Sequence, residues 1–167
     1  MGVIDYALGG GRRSPGDVGP LLTVARATAL DGGLEVQLMR AEMVFGRDHL
    51  VSAIEHARRA FKVGTNMADS LAVEVLLYAS GRRQIAEALR LMGLRPGTTT
   101  VAVVVLGRSD MGEVVEDLGM ERDDGVLEGR IDALEEFGIG SVERETVPAD
   151  GLFDLVLERV ALVELFR

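Results

Sequence analysis

Two adjacent arginines, Arg82 and Arg83, close the run Glu74-Val-Leu-Leu-Tyr-Ala-Ser-Gly-Arg-Arg-Gln-Ile85. The residue types predict an apolar strand over 72–78, a tight Ala79-Ser80-Gly81 turn, and a helix that opens on the arginine pair with Ser80 as its N-cap. A helix N-terminus carries partial positive charge and unpaired N–H groups, so cations are disfavoured there by roughly 0.3–1 kcal/mol each. An external phosphate or carboxylate relieves that conflict. Exposed arginines whose apolar stems lie along the surface are the plainer reading, and composition alone leaves both open. Arg58, Arg59 and Lys62 would enlarge a basic patch if their helix packs beside the turn.

Other reactive types are sparse. His49 and His56 lie seven residues apart on one predicted helix, two turns from each other and too far to share a metal without further ligands. Ser80 has no nucleophile-elbow motif around it, and Gly9-Gly-Gly11 lacks the Lys-Ser/Thr ending of a phosphate-binding loop. The acidic pairs Asp123-Asp124 and Glu135-Glu136 read as solvated faces rather than catalytic carboxylates. With no cysteine in the chain there is no thiolate chemistry, disulfide framework or zinc ribbon. No metal or cofactor is expected.

The elements that must position these residues follow from periodicity. Val3–Leu8 suits a short strand, 9–14 a flexible loop, and Pro15 to about Leu30 a helix closed by Gly32-Gly33. Leu34–Phe45 suits a strand bending near Arg40. Asp48 is the expected N-cap of a helix whose inward face is Leu50, Ala53, Ile54, Ala57 and Phe61, ending at Gly64. After the arginines, Ile85, Ala88, Leu89 and Met92 are expected inward up to Gly93. Thr98–Leu106 is rich in β-branched residues and reads as a strand. Helices follow over 111–118 and 129–137. The segment 152–166 is too apolar for one core-facing stripe, so it is either buried all round or needs a partner. The sum is an α+β fold, one domain over 1–167, with a mainly antiparallel sheet of about four strands flanked by helices.

The net charge of −9 is unevenly spread. Residues 47–95 hold eight cations against five acids, whereas 108–167 hold six against seventeen. Such a molecule can bind a polyanion on one face and repel it on another. No apolar run reaches the roughly 18 residues a membrane span needs, and no signal peptide is evident, so a cytoplasmic protein without membrane contact is expected.

Gly46-Arg-Asp-His-Leu50 with Ala53, Glu55 and Ala57, then the 74–85 run with Ala88 and Leu89, resembles the PRPK-binding protein (TPRKB-like) family. This is the small accessory subunit of the archaeal KEOPS complex. Thr100–Leu106 and Asp154–Leu162 extend the likeness over nearly the whole chain, and the stretch before Leu34 matches weakly. The resemblance implies a non-enzymatic subunit that binds the KEOPS kinase/ATPase subunit and supports its activity. Other KEOPS subunits would be met only indirectly. It further implies recruitment of tRNA by its 3′ CCA end for threonylcarbamoyladenosine modification. Carried over, that contact falls on His49, Ser80, Gly81, Arg82, Arg83, Gln84 and Ile85. A kinase contact is expected on apolar surface from Val114, Val115, Leu118, Leu152, Leu155 and Val156, unless these only close the core. A regulator whose arginines grip an acidic protein is the main rival. An acid/base enzyme built on His49 is a weaker one.

Overall fold

A strand that is apolar on both sides needs cover on both sides. The computed structural model describes residues 5–166, and in it β3 (Thr100–Leu106) buries Val101, Val103 and Val105 on one face and Ala102, Val104 and Leu106 on the other. The sheet also contains β1 (Tyr6–Arg12), β2 (Glu35–Arg40) and the two-residue β4 (Glu121–Arg122), in the order β2-β3-β1-β4, antiparallel throughout. One face is covered by α1 (Gly19–Gly32) and by the region of α5 (Val114–Asp117), which supply Leu21, Ala25, Val114, Val115 and Leu118. The other face meets a larger layer containing α2 (Arg47–Val63), α3 (Leu71–Ser80) and α4 (Ile85–Met92). The short helices α6 (Leu134–Phe137) and α7 (Ser141–Arg144) lead to α8 (Asp154–Leu162), which packs on α2 and α3. This is the expected α+β fold with a four-stranded antiparallel sheet. Among the described residues no helix is long and apolar enough to cross a membrane.

The largest departure is α3, which is a helix where the residue types predict a strand. Ser70 caps it by accepting from the Val73 amide at 3.2 Å. The fully buried Glu74 carboxylate accepts from the Met67 and Ala68 amides and ties down the preceding turn. Leu71, Ala72 and every residue from Glu74 to Ser80 are buried, so the helix shows no polar stripe and mimics a core strand.

The glycine run is strand rather than loop. A Cβ on Gly10 would collide with Val126 and with the carbonyl of Asp123. Bare backbone lets the 123–127 turn lie across β1, fastened by Gly10 N–H donating to Asp124 at 3.0 Å. The expected strand over 34–45 stops at Arg40 and continues as a 3-10 turn over Ala41–Met43. Gly46, not Asp48, is the N-cap of α2. The helices predicted over 111–118 and 129–137 shrink to α5 and to a 3-10 turn joined to α6. On α4, Leu91 faces inward with Ala88 and Met92, whereas Ile85 and Leu89 stay 45% and 49% exposed. The expectation for Val3 and Ile4 lies outside the described residues.

Candidate functional site

The corner between α3 and α4 is built by backbone geometry. Gly81 takes the left-handed conformation (φ 67°), its N–H reaching the Tyr78 carbonyl, and the Arg82 N–H reaches the Leu77 carbonyl at 3.2 Å. This pair of bonds satisfies the last carbonyls of α3 and turns the chain sharply. A Cβ at Gly81 would also come within 3.3 Å of the Arg159 Cβ on α8. Ser80 is fully buried and ends α3; it does not cap α4. Its hydroxyl donates to the Leu77 carbonyl at 2.9 Å and accepts from the Arg82 amide at 3.2 Å.

His49 holds this turn from below. The Phe45 amide donates to Nδ1 at 3.0 Å, which leaves Nε2 to carry the proton and donate to the Ala79 carbonyl at 2.7 Å. The ring is fully buried and lies near Phe45 and Phe137, edge-on to the latter. Burial pushes its pKa down to about 4, against the opposing pull of the Ala79 carbonyl, so at neutral pH it is an uncharged clasp between the start of α2 and the end of α3. Both nitrogens are occupied and no edge faces solvent. His49 therefore frames the corner, and the expectation that it touches a ligand or acts as an acid/base group is corrected.

The two arginines divide the work. Arg82 is half-buried, its guanidinium donating to the carbonyls of Ser80 and Phe137 at 3.3 and 3.0 Å. It straps α6 to the turn while keeping its charge. Arg83 is exposed and makes no hydrogen bond or ion pair among the described residues. Gln84 and Ile85 are exposed beside it, and Gln84 occupies the N-cap of α4 without giving it a side-chain cap. The first-turn amides of α4 are thus left for an outside acceptor, with Glu87 as the acid of that turn. So the structure brings together Arg83, Gln84 and Ile85 at the surface, supported by Ser80, Gly81, Arg82 and His49 underneath.

Other expected site residues lie elsewhere. Arg58, Arg59 and Lys62 sit about two and a half or more turns along α2 from His49, about 14 Å or further by helix rise, and do not join the corner. Arg58 lies over the Tyr6 ring and pairs with Glu55, and Arg59 pairs with Glu164. His56 stacks on Tyr78 and lies 2.9 Å from Glu164. No group of three or more metal-ligating side chains occurs among the described residues. Val114, Val115, Leu118, Leu155 and Val156 are buried and Leu152 packs against the same core, so the expected apolar docking surface is corrected: these residues close the interior. The outer side of that last segment instead carries Leu157, half-buried, then exposed Ala161 and Leu165, at spacings of four.

With this geometry in place, two comparisons identify the class. Residues 23–162 match the family described as kinase binding protein CGI-121. The chain is also 32% identical over 136 residues to a regulatory protein Cgi121 from Methanocaldococcus jannaschii, an alignment covering 80% of this chain and 86% of that one. The chain belongs to the CGI-121 family.

Proposed function

We propose that this chain is a non-catalytic regulatory subunit that binds a kinase-like ATPase and recruits tRNA by its 3′ CCA end for threonylcarbamoyladenosine formation within a KEOPS assembly. Family membership supports the kinase partner and the regulatory role. The RNA part is carried by one observation: Arg83, a cation without a partner among the described residues, stands beside a helix start that has no side-chain cap. A phosphodiester fits there, accepting from the guanidinium and from the α4 amides together. Gln84 can read a base edge, and the exposed Ile85 offers apolar surface to a base face. Three terminal nucleotides need only this small basic footprint, so the net charge of −9 does not oppose it. The kinase contact is placed on the outer line of α8 and its continuation, Leu157–Ala161–Leu165, where apolar surface is left over.

The test uses matched tRNAs with and without the CCA end, at low and moderate salt. Binding that requires both CCA and Arg83, and is lost in Arg83→Glu, is the expected result. Retention that ignores CCA would hand the corner to an acidic protein surface and leave a purely protein-binding regulator.

A further inference from the structure

A second basic feature adjoins the corner and shares Arg82 with it. A groove of about 370 Å³ is lined by Arg82, Glu87, Arg90, Leu91, Arg95 and Glu136. Its charges are not settled internally. Arg90 is exposed, and its side chain makes no hydrogen bond or ion pair among the described residues. Arg82 is bonded to carbonyls and not to carboxylates. Arg95 is fixed by donating to the Arg90 carbonyl at 2.6 Å and stands 3.7 Å from Glu136.

Behind them lies Arg40, with 4% of its side chain exposed, which pairs with the same Glu136 carboxylate at 3.0 Å and donates to the Leu91 carbonyl. Its Nε is buried without a partner. Glu136 is therefore shared between two guanidiniums and Glu42 stands 3.8 Å from Arg40, so the four arginines face three carboxylates and a net positive charge remains. A burial of this kind raises the strength of each charge toward an incoming anion. The chemistry it selects is a tetrahedral oxyanion, which accepts from several guanidinium forks at once.

We propose that this groove is a second phosphate-binding subsite, which takes a phosphodiester upstream of the nucleotides held at Arg83. Resting on the RNA reading above, it extends that reading along α4. Arg82 lines the groove and directly precedes Arg83 in the chain, so the groove adjoins the corner. Glu87 and Arg90 lie three residues apart on α4 and line the groove together, while Arg83 precedes the helix.

The experiment compares a CCA trinucleotide with an octanucleotide ending in CCA, bound to wild type, Arg90→Gln and Arg90→Gln/Arg95→Gln. Inorganic pyrophosphate is titrated in parallel, and thermal melts check folding. Arg90 bonds to nothing through its side chain among the described residues, so its single variant stays folded even if the double variant does not. The expected result is unchanged trinucleotide affinity with an octanucleotide weakened about tenfold by Arg90→Gln. The salt slope for the octanucleotide should also fall by about 0.7 per contact removed. Equal effects on both RNAs, or none on either, overturn the subsite. Wild type that binds pyrophosphate in the groove but shows no length dependence makes it a site for free phosphate and also overturns the strand path. Wild type that binds neither RNA removes the RNA reading itself, a failure visible before any variant is compared.

Discussion

The arginines of the acidic last third and those of the α3–α4 region differ in what they touch. Arg108, Arg122, Arg130 and Arg159 each hold an acid, most of them within a few residues or across one turn, and half-buried Arg144 is the exception, with no side-chain partner among the described residues. Arg122 and Arg159 have their pKa values raised, chiefly by the carboxylates of Asp124 and Glu143 bonded to them. Around α4, Arg82 bonds only to carbonyls, and Arg83 and Arg90 bond to nothing among the described residues. Abundant charge in one region is spent on local structure, while sparse charge in the other is left open beside free amides. Unsatisfied cations on a rigid frame mark a binding surface far better than a local excess of charge does.

The frame is where the difference can be broken most severely. His49 is neutral when folded, with a pKa near 4 against an ordinary value of 6.5. Between those values the unfolded chain binds the extra proton and the folded one does not. Stability is therefore fully present above pH 6.5 and falls as pH drops toward 4, by about 3 kcal/mol from this group. Protonation would also place a hydrogen on Nδ1 against the Phe45 amide. Denaturant unfolding across that range should show the slope in wild type and a shallower one in His49→Gln, whose amide can accept from Phe45 and donate to Ala79. Identical slopes would mean that His49 is not the clasp.

Gly81→Val should follow closely, costing roughly 2–3 kcal/mol, because a β-branched residue is strained at φ 67° and its Cβ would press on Arg159. Urea midpoints measure it, and a loss under 0.5 kcal/mol would show that the turn relaxes freely. Beyond the end of α8, Leu165→Asp changes a side chain that is 73% exposed. It should leave stability within about 0.5 kcal/mol. Kinase affinity should drop about tenfold, as expected for an apolar anchor at an interface. Calorimetry with the purified kinase partner separates the two, and undiminished affinity moves the contact off α8.

Much of this was legible in the residues. The valine-rich β3, most of the inward face of α2 and the turn at Gly81 follow from composition and periodicity, but α4 opens at Ile85 behind Gln84 and not on the arginine pair with Ser80 as its cap. The family likeness rests on the start of α2 and the 74–85 run, and extends through Thr100–Leu106 and Asp154–Leu162. The misreadings have physical causes. Burial on every side erased the helical stripe of α3, so its apolar run looked like a strand. Gly9–Gly11 looked like a loop because close approach of Val126, which demands the missing side chains, is a tertiary fact. His49 looked like a contact because its true partners, the Phe45 amide and the Ala79 carbonyl, are backbone atoms with no signature in residue type. The groove was hidden for a related reason: Arg40 and Glu136 lie 96 positions apart.

The contrast between paired and unpaired arginines is tested most directly by RNA affinity measured on two single variants, Arg83→Gln and Arg130→Gln. Both residues are exposed, but Arg130 holds Asp132 at 2.6 Å and Arg83 holds nothing among the described residues. With a CCA-ended RNA across a salt series, Arg83→Gln is expected to lose about tenfold in affinity and about 0.7 in salt slope. Arg130→Gln should match wild type in both. Equal losses from the two variants would reduce the binding to diffuse attraction and contradict a built site at the α3–α4 corner.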